Sequence, residues 1–168
     1  MLWERDLQEA LEDASVRFPV KDGLPNVSLV LSHKLRMSIN RVQNLLEKPA
    51  SAILIKAKPG KKHENSAQSF WCFEGQCLIG AGGKVRKGVF VKVNCIDENT
   101  ITLDNGLTLS YDQCNCLRLS HSITYAACQG LTLYGGVRLC ETTHDNFNIK
   151  HLYVGSSRCT SAQLLEIM

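Results

Sequence analysis

The spacing of apolar residues changes twice along this chain, from helical to alternating and back to helical. Residues 2–17 and 35–46 carry apolar side chains at helical spacing, and the short apolar run Val27–Leu31 lies between them. A strand, a short turn and a helix in this order make half of an α/β unit. The sequence therefore predicts an α/β frame with a surface helix first and a buried strand after it.

The middle of the chain, residues 52–116, has the pattern of short strands separated by turn residues. Asp104-Asn105-Gly106 is a strong hairpin signal. Short strands at this spacing predict a small barrel of about five strands inserted into the α/β frame. The polar segment 58–68 is expected to be a mobile loop. Strands are predicted at 53–57, 70–73, 75–80, 88–93, 100–103 and 107–109.

The α/β character returns from residue 117 onward. Residues 123–128 are mixed in character, with a helix-like stretch before Gln129. A strand is expected over Val137–Cys140, a helix over Ile149–Ser157 and a closing strand over Leu164–Ile167. The predicted domain organisation is therefore an α/β domain with one inserted segment. Its three parts are residues 1–51, 52–116 and 117–168.

Basic side chains are concentrated in the middle segment. The net charge of the 168 residues is +3, but residues 56–92 hold eight basic and two acidic side chains. Cations for phosphates beside rings for bases suit a nucleic-acid strand, and a lysine-coated edge that blocks aggregation is the alternative. The cations are Lys56, Lys58, Lys61, Lys62, Lys84, Arg86, Lys87 and Lys92, and the rings are Phe70, Trp71, Phe73 and Phe90.

Several classes of protein are disfavoured by composition. No apolar run approaches the roughly 18 residues that span a bilayer, and the acidic N-terminal segment is unlike a signal peptide. We therefore expect a soluble, intracellular protein without a membrane partner, in the nucleus or cytoplasm. The eight cysteines lack the two-residue spacing of a zinc knuckle, so reduced and mostly buried thiols are predicted and no metal is expected.

Two further patterns do not indicate catalysis. The segment Gly80–Lys84 resembles a phosphate loop, but Leu78 and Val85 occupy the places where a P-loop needs Gly and Ser or Thr. A glycine turn is expected there instead. The five histidines lack a nucleophile and carboxylate at recognisable spacing, so hydrolytic catalysis has no support.

Residues 122–133 carry a more specific pattern. Gln129 and Gly130 are expected at a bend, where glycine lets the backbone come close to a ligand. Thr124, Gln129 and Thr132 supply neutral hydrogen-bond donors for phosphate or ribose oxygens. This segment is a candidate binding loop.

Residues 151–160 place one arginine among small and apolar residues. Arg158 is predicted to be a buried guanidinium, which needs an anionic partner. The partner is either a ligand anion or an internal carboxylate, for which Glu141 or Asp145 would serve. The sequence leaves both alternatives open.

Taken in order, these segments resemble superfamily 1 DNA helicases of the Pif1, RecD and Dda type. Their motif sequences are similar to those of helicases of large DNA viruses and protist elements. The resemblance covers residues 27–46 and 117–168. It implies a RecA-like (P-loop NTPase-type) second motor domain with an inserted SH3-like β-barrel, and it adds a viral factory as an alternative location. VSLVLSHKLRMSINRVQ is similar to motif IV, SITYAACQGLTL to motif V and HLYVGSSRCTSAQLL to motif VI.

The resemblance also implies roles for single residues. Arg158 matches the motif VI arginine that reaches the γ-phosphate of ATP across the cleft between two motor domains. Arg36 is a candidate nucleotide contact of motif IV, with a surface cation as the alternative. The motif V pair that couples the nucleotide to the DNA track corresponds to Gln129 and Gly130, and the residues placed along the strand are Thr124, Thr132, Lys84, Arg86 and Lys87.

The first motor domain of such helicases, with its P-loop lysine and magnesium-binding acidic pair, has no counterpart in these residues. The resemblance therefore implies ATP and Mg²⁺ only together with an N-terminal RecA-like domain, in cis or in trans, and single-stranded DNA as a partner. Alone, the chain is expected to be inactive. The alternatives are a stand-alone, non-catalytic nucleic-acid-binding module and a zinc-stabilised adaptor.

Overall fold

The computed structural model describes residues 2–58 and 68–168, with side chains described from residue 6 onward. The chain forms two compact units, one of residues 1–36 and 121–168 and the other of residues 37–120. Most of the predicted loop 58–68, including Lys61 and Lys62, lies outside the described residues. No helix in the described ranges is long and apolar enough to cross a lipid bilayer.

The helices and strands follow the predicted order closely. The helices are α1 (Leu2–Arg17), α2 (His33–Glu47) and α3 (Ile149–Ser156), with short 3-10 helices at Tyr111–Cys116 and Ala162–Leu164. The strands are β1 (Val27–Val30), β2 (Ile53–Ile55), β3 (Phe70–Cys72), β4 (Cys77–Gly80), β5 (Phe90–Ile96), β6 (Thr100–Leu103), β7 (Thr108–Ser110), β8 (Leu117–Leu119), β9 (Ser122–Thr124), β10 (Val137–Leu139) and β11 (Leu165–Ile167).

The first unit contains a four-stranded parallel sheet in the order β11-β10-β1-β9. Leu29 lies opposite Ile123 on one side and Leu139 on the other. All four residues of β1 are buried, as expected for an inner strand of a parallel sheet, which reads as a continuous apolar run rather than an alternating one. The α/β class with a parallel sheet is therefore confirmed.

One predicted element of this unit is wrong. Residues 123–128 do not continue as a helix, because Ser122–Thr124 pairs with β1 as strand β9 and a turn follows. The Thr124 hydroxyl accepts the Ala127 N–H at 3.2 Å, and the Thr124 carbonyl accepts the Cys128 N–H at 3.1 Å. The chain therefore bends immediately after the strand.

Helix α2 buries polar side chains and exposes apolar ones. Asn40 and Asn44 are 0% and 2% exposed, whereas Leu46 is 72% exposed. Arg36 is also buried, at 8% exposure, so its interpretation as a surface cation is wrong. The apolar spacing located the helix correctly, although the apolar residues Val42, Leu45 and Leu46 are exposed.

The second unit contains a five-stranded antiparallel sheet, in the order β7-β6-β5-β4-β8, and the separate pair β2-β3. In β5, Val91 and Val93 are buried while Phe90 and Lys92 are exposed, the alternation typical of a sheet with one solvated face. Gly106 has φ of 84° in the hairpin between β6 and β7, which confirms the predicted turn. The described strands make an open sheet and a pair, and the closed SH3-like barrel stays a prediction.

Candidate functional site

Helix α3 positions the candidate arginine in the first unit. The Asn148 side chain caps the helix by accepting the N–H groups of Lys150 and His151. A Cβ at Gly155 would lie 2.6 Å from Leu139 Cδ2, so the absence of a side chain there lets α3 approach β10. Arg158 follows the helix, and its N–H donates to the Gly155 carbonyl at 3.2 Å.

Arg158 lies against the loop that carries Gln129 and Gly130. Its carbonyl accepts the Leu133 N–H at 2.9 Å, and its Nη1 reaches the Leu131 carbonyl at 3.5 Å. A parallel bridge pairs Leu133 with Cys159. The structure therefore brings together the two segments that the sequence singled out separately.

Within the described residues no carboxylate pairs with the Arg158 guanidinium. Its Nε and Nη2 donate to the hydroxyl of the neighbouring Ser157, at 3.3 and 3.1 Å. Arg158 is partly buried rather than fully buried. A permanent cation that keeps solvent access and lacks an ion-pair partner can take a ligand anion.

Glu141, one of the two suggested partners of Arg158, is engaged elsewhere. Its carboxylate accepts the N–H groups of Leu31 and Ser32 at 2.5 and 3.0 Å and the Ser32 hydroxyl at 2.9 Å. Burial of the carboxyl opposes ionisation, but these hydrogen bonds outweigh it, and the pKa of Glu141 lies below its ordinary value. Glu141 therefore joins the end of β1 to the end of β10. From the sequence, Glu141 is suggested only as a partner of Arg158.

The remaining residues of the binding loop differ in exposure. Gly130 has φ of 78°, which suits glycine, and Gln129 and Thr132 are exposed beside it. Thr124 is 7% exposed, and its hydroxyl accepts the Ala127 N–H. The structure thus presents Gln129, Gly130 and Thr132 to solvent, while Thr124 holds the turn from within.

Arg36 occupies the first turns of α2. Its N–H donates to the Ser32 carbonyl at 3.1 Å. Burial, and next to it the positive charge of Arg36, lower the pKa of His33. A buried arginine at this place is consistent with a structural or ligand-contacting cation and not with a solvated one.

Three basic residues of the second unit lie in one turn, residues 81–88, which we call the basic loop. Lys84, Arg86 and Lys87 are exposed and Val85 is 3% exposed, so the valine anchors the loop beneath its cations. Gly82 and Val85 pair across the turn. The glycines therefore form a turn in the antiparallel sheet, as predicted, and not a phosphate loop.

A depression of about 460 Å³ lies between the basic loop and the 3-10 helix Tyr111–Cys116. It is open to solvent, and Lys58 and Lys84 contribute positive charge to its lining, while Asp112 contributes negative charge. The sequence does not predict this depression, because its two walls are about thirty residues apart in the chain.

Five of the eight cysteines are buried, whereas Cys77 is exposed. Cys72 and Cys114 belong to the core of the second unit, and burial raises the pKa of Cys72 to about 12 and that of Cys114 to about 11. Across the described ranges, no group of three or more histidine, cysteine or acidic side chains could hold a metal ion.

Comparison with known proteins gives a fold but no closer relative. No protein-family model and no curated protein matches the sequence. Among solved structures, Pif1 helicase from Candida albicans superposes with a TM-score of 0.65 at 15% identity, over 95% of this chain and 49% of that one. Pif1 from Bacteroides bound to single-stranded DNA gives 0.62 at 16% identity, over 95% and 45%.

A further neighbour is the Bacteroides enzyme in complex with ADP-AlF3 and single-stranded DNA, with a TM-score of 0.61 at 17% identity. The superposition covers 95% of this chain and 45% of that one. The fold of this chain is therefore similar to part of these Pif1 helicases. The chain covers less than half of the length of each neighbour named here.

Proposed function

We propose that this chain is the C-terminal half of an ATP-dependent DNA helicase, where it supplies the arginine finger and part of the single-stranded DNA track. The observation that carries the proposal is Arg158, a partly buried cation without a carboxylate partner in the described residues, lying against the 129–133 loop. In this proposal, residues 1–51 and 117–168 form the RecA-like domain, and residues 52–116 form the SH3-like insert.

Arg158 acts on the nucleotide in this proposal. Its guanidinium would stabilise the negative charge that develops during phosphoryl transfer. ATP and Mg²⁺ would be held by an N-terminal RecA-like domain in cis or in trans, because no group of side chains described here suits a metal ion. Bound nucleotide would supply the phosphoryl group, and this chain would contribute the charge.

Three further residues are proposed to serve the nucleotide. Gln129 and Gly130 are exposed and lie within two residues of Leu131, whose carbonyl accepts a hydrogen bond from Arg158. A movement of the Arg158 side chain would therefore displace the loop that carries them. Arg36 would contact the nucleotide from α2, where its burial restricts its position. These contacts would link hydrolysis to the loop.

Single-stranded DNA is the proposed partner of the cationic and hydroxyl groups. Lys84, Arg86 and Lys87 would neutralise phosphates from the basic loop, and Thr132 would donate to a phosphate oxygen. Thr124 would contribute through the turn that its hydroxyl holds. Binding of this kind depends on charge rather than base sequence, as is usual for proteins that move along a strand.

An ATPase assay on the 168-residue chain tests the half-helicase proposal. No segment of the sequence has the spacing of a P-loop, so we expect no hydrolysis above background, with or without single-stranded DNA. An ATPase of the isolated chain that disappears in Arg158→Ala would refute the proposal. The comparison with Arg158→Lys shows whether any effect depends on the guanidinium or only on charge.

The second candidate function is a stand-alone, non-catalytic nucleic-acid-binding module. The basic loop favours it, since its three exposed cations need nothing from Arg158. An N-terminal RecA-like domain that binds this chain and hydrolyses ATP only in the presence of Arg158 would favour the helicase half. Arginine fingers contribute about 10³ to 10⁵ in rate, so this distinction is easily measured.

A further inference from the structure

The parallel bridge between Leu133 and Cys159 defines a small surface in the first unit. Residues paired directly in a bridge share one side, and their chain neighbours point to the other side. Leu133 is 1% exposed and marks the inner side. The chain neighbours of the two bridged residues are exposed or partly exposed, and we call them the bridge surface: Thr132, Tyr134, Arg158 and Thr160.

Tyr134 is the unusual member of the bridge surface, because its ring is 75% exposed. Single exposed apolar groups are common on proteins. This ring, however, lies two residues from an exposed hydroxyl, Thr132, and across the bridge from a segment that carries Arg158. The surface thus combines an aromatic face with a neutral hydroxyl that can donate to a phosphate.

That combination has the chemistry of a nucleotide unit in a single strand. Aromatic side chains stack on bases without regard to sequence, and hydroxyl groups bind the backbone phosphates. Residues two apart on an extended segment are about 6.6 Å apart, so Thr132 and Tyr134 can contact the phosphate and the base of one nucleotide.

We propose that Tyr134 is a base-stacking residue for single-stranded DNA, with the phosphate of the same nucleotide at Thr132. This inference rests on the proposed binding of single-stranded DNA. It adds a contact that reads the presence of bases, which the cations of the basic loop cannot do. Stacking makes the chain prefer a strand with bases over a bare phosphate backbone.

The test compares two probes of equal length, an oligothymidine and a fully abasic strand, by fluorescence anisotropy on the full chain. Tyr134→Ala is expected to weaken binding of the oligothymidine at least about fivefold, equivalent to about 1 kcal/mol. Binding of the abasic strand and the salt dependence should stay unchanged. Tyr134→Phe should retain the parent affinity, because the ring is kept.

Tyr153→Ala is the matched control, since Tyr153 is 74% exposed on α3 and is not part of the bridge surface. It should bind both probes as the parent does. The inference is overturned if Tyr134→Ala binds the oligothymidine like the parent, or if it weakens both probes equally. It is also overturned if Tyr134→Ala loses affinity for free ATP alone.

Two outcomes separate the stacking role of Tyr134 from DNA binding by the chain as a whole. If the parent chain binds neither probe, the proposed DNA binding itself is refuted. If the parent binds, and replacement of Lys84, Arg86 and Lys87 weakens binding while Tyr134→Ala does not, only the stacking role is refuted.

Discussion

The Asn44 side chain pairs with the backbone of Trp71 through two hydrogen bonds. The Trp71 N–H donates to Asn44 Oδ1 at 2.8 Å, and Asn44 Nδ2 donates to the Trp71 carbonyl at 2.9 Å. Trp71 lies opposite Leu54 in the β2-β3 pair, so its outward backbone groups would otherwise lack a strand partner. A single amide on α2 therefore completes the edge of this pair, and the Lys48 ammonium lies 4.3 Å from the Trp71 ring centroid.

Asn44→Ala should destabilise the protein. The change leaves the Trp71 N–H without its acceptor and removes one of two donors to the Trp71 carbonyl, the other being Gln76. Leaving a buried polar group unpaired costs about 1–3 kcal/mol. Urea denaturation followed by circular dichroism measures the change in the free energy of unfolding.

Leu46→Ala is the control on the same helix, since Leu46 is 72% exposed and its replacement should change stability by less than about 0.5 kcal/mol. Equal stability of Asn44→Ala and the parent chain would show that the helix is held without this pair.

Gly80→Ala should disrupt the basic loop. A Cβ at residue 80 would overlap the Arg86 carbonyl oxygen and lie 2.6 Å from Val85 Cγ1. Overpacking of this kind costs about 1–3 kcal/mol, and relief of the clash must move the segment that carries the three cations. We therefore expect a lower urea midpoint together with weaker binding of single-stranded DNA.

The comparison variant is Gly136→Ala, where the added Cβ would meet Pro25 Cα at an ordinary 3.7 Å. Its free energy of unfolding should stay within about 0.5 kcal/mol of the parent's. A Gly80→Ala protein with parental stability and binding would contradict the described close approach.

The buried thiols should react only after unfolding. Cys72 and Cys114 are buried, whereas Cys77 is exposed. Maleimide labelling at neutral pH, read by peptide mass spectrometry, should modify Cys77 within minutes and leave Cys72 and Cys114 unmodified until urea is added. A chelator should leave the melting temperature unchanged if the thiols hold no metal. A stoichiometric metal released by the chelator would overturn the interpretation of these cysteines as packing residues.

The same thiols predict the direction of a pH dependence. Burial raises the pKa of Cys72 from the ordinary 9.0 to about 12 and that of Cys114 to about 11. The folded state therefore favours the protonated thiols, and their contribution is complete below pH 9 and is lost as the pH rises toward these values. Urea denaturation at pH 8 and pH 10 should show lower stability at the higher pH. The loss should be smaller in Cys72→Ala, when each protein is compared with itself at pH 8.

The order of helices and strands could be predicted because local patterns determine it. Val27–Val30 reads as an apolar run in the sequence and is buried along its whole length in the parallel sheet. Asp104-Asn105-Gly106 specifies its hairpin through a glycine that adopts positive φ. In these places, side-chain chemistry within a few residues decides the conformation.

Features that depend on distant residues were not predictable in the same way. The polar face of α2 is buried because Asn44 meets Trp71, 27 residues away, and periodicity alone assigns burial to the apolar face. Likewise, Glu141 pairs with Leu31 and Ser32 across the sheet, which frees Arg158 from one of its two suggested partners. The strand β9 was missed because Ser122–Thr124 holds one apolar residue, Ile123, and pairs with β1, which is distant in the sequence.

A salt series of single-stranded DNA binding tests whether this chain binds a single strand through its basic loop. The parent chain should bind an oligonucleotide weakly, without sequence preference and with a steep loss of affinity as salt rises. Replacing Lys84, Arg86 and Lys87 together by alanine should weaken binding and flatten the log-log salt slope by up to about two units, from roughly 0.7 per phosphate contact. If the triple variant binds with the parent's affinity and slope, the basic loop is only a solvated surface, and the account of this chain as a strand-gripping helicase domain is contradicted.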